Sequence, residues 1–519
     1  MRSGGLRGTF YSEIFRQAAE YGIDCKVYGA VCAISEIKNA IPLVHGPEGC
    51  AYYPKFFPPD AIRMKLLGEK DAPRIYTTKM SEADVIYGGE EKLERAIIDV
   101  DMRERPDLIG VIGSCVPAII GDDIHEVVRR VKERGEIKAE VIATPSSGYE
   151  DERAEREHLD AFAKYTLNAW EGREKEVKFG IERCGRLDAI FSMVEQLTED
   201  MGYKEESTVN IDTYGRLHYY EDLKGEIEEI RRILKAIGVR VNTVFPGCSV
   251  QDIKKMSVAT LNFMRRSERA AEFMKKKYDT DYIFDPLCVK YAGLEGIERF
   301  FMDIASYFNL EGEAEEILSV EKRNLDARIA KIKRNFDKKN FSVVLVPLTT
   351  SLSYLKTLEY IGLNVKVLFI NTEWLERFGT SREYTEKVAE KLAEHAQEMG
   401  IDNVYINIDV FKEVEIARKN AIDLALIDTF ENIEREMLYE NGHVNAFSPS
   451  SVGYSPFRIS YRMTERLAEA IAQELHKSHN KKNLLIFKYK MDGWRFPCFS
   501  DILYGRMCWE ELMKNVWRM

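Results

Sequence analysis

Three cysteines carry the chemistry that this sequence puts forward. Cys50 ends the run Ile41-Pro-Leu-Val-His-Gly-Pro-Glu-Gly-Cys50, and Cys115 ends Leu108-Ile-Gly-Val-Ile-Gly-Ser-Cys115. In each, an apolar strand-like stretch stops at a Gly-containing turn and delivers a thiol. A Rossmann-like sheet presents its ligands in this way, at the carboxyl ends of its strands. Together with Cys25, these thiols point to an iron–sulfur cluster completed by another ligand or a second chain. Thiolates are the species required, and backbone N–H groups at a strand-to-helix turn favour them. Gly46, Gly49 and Gly113 are expected to let the backbone approach such a group closely. On the residues alone the plain alternative stays open, that of inert thiols buried in a Rossmann core.

The remaining cysteines read differently. Cys32, in Val31-Cys-Ala-Ile, and Cys184 are expected in the core or on a helix surface. Cys248, in Pro246-Gly-Cys-Ser249, follows a strand end and is a further metal-ligand candidate, with Cys288 a weaker parallel. Cys498 and Cys508 lie in an aromatic tail, where packing is the default. His45 is expected to be a satisfied core histidine, with a proton relay or a hydrogen bond toward the thiol site as its functional alternative. His443, beside Asn441-Gly442, is a candidate for the substrate cleft or a surface turn. Asp122-Asp123 opens a helix, where carboxylates are favoured by the dipole. Arg265-Arg266 and Lys275 to Lys277 are placed on one helix, as a solvated face.

The elements that must position these groups alternate between strands and helices, which predicts parallel sheets flanked by helices in an α/β fold. The first unit spans 25–200, after an N-terminal helix at 1–24. Its strands are placed at Ile41–His45, Leu108–Gly113 and Glu140–Ala143. A second unit, 201–311, holds a strand and turn at 208–215, strands at 239–245 and 282–284, and helices at 222–236, 257–277 and 293–307. A linking helix covers 312–340. A third unit, 341–479, repeats the pattern from Phe341 to a helix ending at 476. Residues 480–519 carry Trp494, Trp509 and Trp517, three of the five tryptophans, and such aromatic density calls for burial against this chain or a partner.

At 519 residues the chain is too long for one core. A net charge of −11 with no basic stripe argues against nucleic-acid binding. No run of about 18 apolar residues suits a membrane span, and the first residues lack an apolar signal core, so a cytoplasmic protein is expected. In that compartment nine cysteines read as ligands or core residues rather than disulfides. None forms a Cys-x-x-Cys pair, so a metal site must be assembled from distant parts of the chain.

These motifs resemble the nitrogenase component 1 family. The resemblance is carried by Cys25-Lys-Val-Tyr-Gly-Ala-Val, Ala40-Ile-Pro-Leu-Val-His-Gly-Pro-Glu-Gly-Cys50-Ala-Tyr, Ile86-Tyr-Gly-Gly-Glu-Glu-Lys-Leu and Gly113-Ser-Cys115-Val-Pro-Ala-Ile-Ile-Gly-Asp-Asp-Ile. Pro246-Gly-Cys-Ser-Val-Gln-Asp-Ile continues it. The match is dense over about 25–150, collinear to about 476, and absent from 480–519. It implies three Rossmann-like domains and pseudo-symmetric pairing with a related component 1 chain, as a hetero-oligomer or a homodimer. It also implies an interfacial iron–sulfur cluster of 4Fe–4S or 8Fe–7S type, held by Cys25, Cys50 and Cys115, and an ATP-dependent iron protein as electron donor. Members of the family reduce dinitrogen, tetrapyrroles or organic sulfur compounds, and others are scaffolds for cofactor assembly.

Gly29-Ala-Val, Ala40 to Gly46 and Thr144-Pro145-Ser146 resemble the β-type chain or the β-like scaffold chain. In β-type chains a serine near this point approaches the cluster, which brings forward Ser146 and Ser147. Tyr52-Tyr53 and Phe56-Phe57 are implied to shield the cluster and pack the subunit interface. An α-type chain holds a further cofactor with a cysteine in its second domain and a histidine in its third. This chain reads Thr260-Leu-Asn-Phe-Met-Arg-Arg near the former, with no thiol, and has His443 near the latter. A second metallocluster is therefore expected in the partner chain. A basic cleft in this family can attract an anionic cofactor, which singles out Arg265. No Gly-x-x-x-x-Gly-Lys-Ser/Thr motif is present, so ATP hydrolysis is assigned to the partner protein.

Overall fold

A computed structural model describes residues 26–51, 74–147, 185–213, 223–285, 290–348, 350–377, 380–428, 432–449, 454 and 458–476, with a few positions in 164–170. The expected N-terminal helix, Cys25, Tyr52, Tyr53, Phe56, Phe57, Cys184, Cys288, Cys498, Cys508 and the aromatic tail lie outside the described residues.

Three parallel sheets form the frame. The first has the order β2-β1-β3-β4, from β1 (Ala40–His45), β2 (Tyr76–Thr77), β3 (Leu108–Gly113) and β4 (Glu140–Pro145). The second has the order β6-β5-β7-β8, from β5 (Glu205–Asp212), β6 (Arg240–Phe245), β7 (Ala259–Met264) and β8 (Asp281–Phe284). The third has the order β11-β10-β9-β12-β13, from β9 (Phe341–Leu345), β10 (Val365–Ile370), β11 (Asn403–Ile406), β12 (Leu424–Asp428) and β13 (Ala446–Phe447).

The sequence explains the central strands. Every residue of β1 and of β3 is buried, as expected of short apolar runs covered by helices on both faces. The helices are built on apolar stripes with defined ends. In Ile124–Arg134, Ile124, Val127, Val128 and Val131 face inward at helical spacing. Asp123 caps that helix by accepting from the Glu126 N–H at 3.0 Å, and Gly135 closes it at φ 64°.

Two apolar layers join the sheets. One contains residues of the helix Lys26–Ser35, such as Val27 and Val31, together with Phe245, Cys248, Val250 and Met264 of the second unit. The other is shared by the second and third sheets and includes Ile211, Phe263, Phe341 and Leu368.

The structure departs from the sequence reading at 257–277. Instead of one helix it places β7 at Ala259–Met264, hydrogen-bonded between β5 and β8. A helix then runs over Glu268–Tyr278, capped by Ser267. Pairing with two non-local strands outweighs a helical pattern that was legible only locally. Arg265 and Arg266 consequently lie at a strand end and are buried, where a solvated helix face was expected. In the third unit the last strand is only Ala446–Phe447. It is preceded by the helix Asn432–Asn441, which the sequence reading did not assign.

Candidate metal centre

The first sheet brings the thiol-bearing turns together through its register. His45, Gly113 and Pro145 lie side by side at the carboxyl edge of β1, β3 and β4. The ladder continues one residue further, because the Ser114 N–H donates to the His45 carbonyl and the Ser146 N–H to the Gly113 carbonyl, each at 3.1 Å. The chain order β2-β1-β3-β4 reverses between β1 and β3. Such a reversal opens a crevice at the strand ends, and Cys50 and Cys115 follow the two strands that border it.

Cys50 sits in a single 3-10 turn, Glu48–Ala51, and Cys115 opens the six-residue helix Cys115–Ile120. Only Cys115 is therefore in a strand-to-helix turn. Both thiols are reduced and half-buried. They are close enough to interact. Burial pushes the Cys50 thiol up, the neighbouring Ser114 hydroxyl acts the other way by favouring the thiolate, and the Cys115 charge raises it further. A cation bound between the two would reverse that mutual penalty.

The three glycines play distinct parts. A Cβ on Gly46 would fall 2.1 Å from Ser114 Oγ and 3.8 Å from Cys50 Sγ, so glycine here lets the two thiol-bearing loops meet. A Cβ on Gly113 would meet Ile124 Cδ1 at 3.1 Å, a packing constraint. Gly49 is exposed, and a Cβ there would meet nothing within 4 Å. Gly49 is thus not held to glycine by contact with any described residue.

His45 anchors the turn from beneath. It is fully buried, with Nδ1 3.1 Å from Thr78 Oγ1 and Nε2 3.0 Å from Asp122 Oδ2. Burial lowers its pKa, and Asp122 opposes that shift. Asp122 also accepts from the Gly89 N–H at 3.0 and 3.1 Å. The Gly46 N–H donates to Thr78 Oγ1 at 3.1 Å, and the Gly46 carbonyl accepts from the Met80 N–H at 3.0 Å and from the Thr77 hydroxyl at 3.2 Å. His45 is thus the satisfied core histidine expected of it. Asp122 does more than favour a helix end, since it joins the β1 turn to the loop before Glu90.

Ser146 and Thr144 are fully buried, and their hydroxyl oxygens have no hydrogen-bond partner among the described residues. Ser147 is half-buried. Two thiols, with the hydroxyls of Ser114 and Ser146 on neighbouring strand ends unpartnered among the described residues, suit a sulfide-rich metal group in donor chemistry. Among the described residues no group of three His, Cys, Asp or Glu side chains converges as a metal site. Of the three thiols singled out in the sequence, the described residues bring together Cys50 and Cys115.

The other candidates lie elsewhere. Cys248 is buried in the layer between the first and second units, and burial drives its thiol far up, as it drives Cys32 up to about 12. Arg265 is fixed by an ion pair with Asp285 at 3.4 Å and donates to the Tyr291 carbonyl at 3.2 Å. It is not a free cation in a cleft. His443 is exposed in a left-handed turn, φ 63°, after the helix Asn432–Asn441. Ser114 and Thr78 were not singled out in the sequence. Ser114 is signalled by its place before Cys115, whereas nothing local marks Thr78. No described helix is long and apolar enough to cross a membrane.

Comparison with known proteins agrees with this frame. The chain is 25% identical to a nitrogenase molybdenum-iron protein alpha chain of Methanosarcina barkeri, over 63% of this chain and 56% of that one. It is 25% identical to the nitrogenase iron-molybdenum cofactor biosynthesis protein NifE of Methanococcus maripaludis, over 62% and 59%. A subunit of the light-independent protochlorophyllide reductase of Nostoc punctiforme is 28% identical over 49% and 45%. The aligned part thus spans less than two thirds of each of these relatives. The solved structure of nitrogenase Cp1 at pH 5 superposes with a TM-score of 0.56 at 18% identity, covering 87% of this chain and 88% of that one, which is a likeness of fold. Residues 25–476 match the family described as nitrogenase component 1 type oxidoreductase, and the chain belongs to that family.

Proposed function

We propose that this chain is one subunit of a nitrogenase-like two-component reductase, and that Cys50 and Cys115, with Cys25, hold an iron–sulfur cluster shared with a related component 1 chain. The observation that carries the reading is the placement of two half-buried thiols after adjacent strands, close enough to interact, with the Ser114 hydroxyl between their loops. When bound, such a cluster supplies one-electron storage between an ATP-dependent iron protein and a substrate site. The chain's own residues hold the thiols in place. Ser114 favours the Cys50 thiolate, Gly46 keeps the two loops in contact, and His45 with Asp122 fixes the turn. Because burial holds the Cys50 thiol protonated, metal binding must displace a proton there, and loading strengthens with pH.

A second reading is a scaffold for assembling a nitrogenase-type metallocluster. It is favoured by the NifE relative and by Thr260 in β7, where an α-type chain is expected to offer a cysteine. The tetrapyrrole-type reductase is the third member of the set, through the protochlorophyllide reductase relative.

The test is iron and acid-labile sulfide in protein purified without oxygen, with an EPR spectrum after reduction. Several irons per chain matched by sulfide, and lost on Cys50→Ala, are expected. Absence of both from folded protein purified with its neighbours would remove the cluster reading. ATP-dependent substrate reduction by the assembled complex separates the reductase from a scaffold, which only passes its cluster to another protein.

A further inference from the structure

A buried ionic cluster ties the thiol site to the second sheet. Glu36, the first residue after the helix Lys26–Ser35, is 1% exposed. Its carboxylate accepts from Arg186 on one oxygen and from Arg266 Nη1 at 2.8 Å on the other. Arg266 also donates from Nε to Asp212 Oδ1 at 2.6 Å, and its own N–H and that of Arg265 reach Asp212 Oδ2 at 2.9 and 3.2 Å. Two carboxylates and two guanidiniums thus balance out of water, the condition under which buried charges persist. Backbone bonds flank the cluster. The Gly247 N–H donates to the Glu36 carbonyl and the Lys38 N–H to the Cys248 carbonyl, both at 2.9 Å. The segment between the first helix and β1 is therefore stitched to the ends of β5, β6 and β7.

The helix held by this clasp packs against β1 and against the turn Glu48–Ala51. Cys50 rests on the apolar layer that this helix shares with Phe245 and Val250. Cys115 is not part of that layer and hangs from β3. In the sequence, Cys25 immediately precedes the same helix. One thiol turn is thus supported from behind by the clasp, and the other is not.

We propose that Glu36 and Arg266 are positioning residues for the thiol site, setting Cys50 against Cys115 through the helix Lys26–Ser35. The proposal rests on the reading of Cys50 and Cys115 as a metal-holding pair. A matched control exists in the third unit, where buried Glu413 pairs with Arg435 at 2.6 Å and supports no described thiol.

The test uses the full chain, purified without oxygen and stripped of metal, titrated with phenylarsine oxide, which bridges two neighbouring thiols. Peptide mapping locates the adduct. Wild type should bridge Cys50 and Cys115. Glu36→Gln should weaken that bridging about tenfold, the low end of the cost of losing an outer-sphere partner of a metal site. Glu413→Gln should leave it unchanged. Wild-type affinity in folded Glu36→Gln, or an equal loss in Glu413→Gln, would overturn the proposal, as would a wild type that does not bridge this pair. Arg266→Lys keeps the charge but loses the planar fork. It decides the matter where Glu36→Gln does not fold, with an intermediate loss expected and unchanged bridging overturning the idea. Bridging that follows the clasp in a protein that holds neither iron nor sulfide would leave the positioning role standing and remove the cluster reading alone.

Discussion

The first and second sheets share a strand order and use it in opposite ways. In each, the earliest strand is flanked by the next on one side and by the third on the other, so the order reverses at β1/β3 and at β5/β7. Both reversals open a crevice at the carboxyl edge. At β1/β3 the chain places Gly46, Ser114, Cys50 and Cys115, small residues with half-buried thiols. At β5/β7 it places Asp212 and Arg266, buried and ion-paired, with buried Arg265 beside them paired to Asp285. The same topology thus yields an open site or a sealed seam, and side-chain size and charge decide which. Sealing the second crevice also provides the anchor for the helix behind the first.

The largest test of this contrast is Cys115→Ala. Bound iron should be lost entirely, while the thermal midpoint moves little because the thiol is half-buried, and metal analysis beside calorimetry reads both. Asp212→Ala should do the reverse, leaving the thiols present but lowering stability by about 3–5 kcal/mol, since it strands buried guanidinium charge. Urea unfolding measures that loss.

The two edges should also answer pH with opposite signs. Burial lowers the pKa of His45 below 6.5, against the pull of Asp122. The unfolded chain then takes up the proton first, so stability is full above 6.5 and falls as pH drops below it. Burial raises Asp285 from 3.8 to about 6, with Arg265 opposing. Here the unfolded chain releases the proton first, so the contribution, on the order of 3 kcal/mol, is full below 3.8 and is lost as pH rises through 6. His45→Gln and Asp285→Asn should each flatten one limb of the stability–pH curve. Gly46→Ala is expected to be milder, about 1–3 kcal/mol, because its Cβ must displace Ser114. A change in thiol reactivity at Cys50 without unfolding would confirm the local nature of that clash.

The sequence made the first sheet legible because its strands are unbroken apolar runs. Leu108–Gly113 was placed to the residue, and β1 to within one. The turns after them were legible through glycine. The helices Glu82–Tyr87 and Glu90–Glu104 were not, although the loop beginning at Gly88 gives Asp122 a second partner in Gly89. The second sheet was harder to read. Thr260, Leu261, Asn262 and Phe263 fit a helical pattern until the register with Val209, Asn210 and Ile211 is known. For the same reason Arg265 and Arg266 looked like solvent-facing cations. Their partners Asp212, Glu36 and Asp285 are distant in the chain, and charge pairing at that range leaves no local signal.

Cys50 and Cys115 come together because β1 and β3 lie in register, across 65 positions of sequence that include the helices Glu82–Tyr87 and Glu90–Glu104. The unfolded polypeptide therefore offers metal no preformed chelate, and long-range parallel pairing is among the slower events in building a domain. Any chemistry that needs both thiols at once therefore waits on the closure of the first sheet, and a chain that has lost the β1–β3 pairing carries two unrelated cysteines in place of a pair.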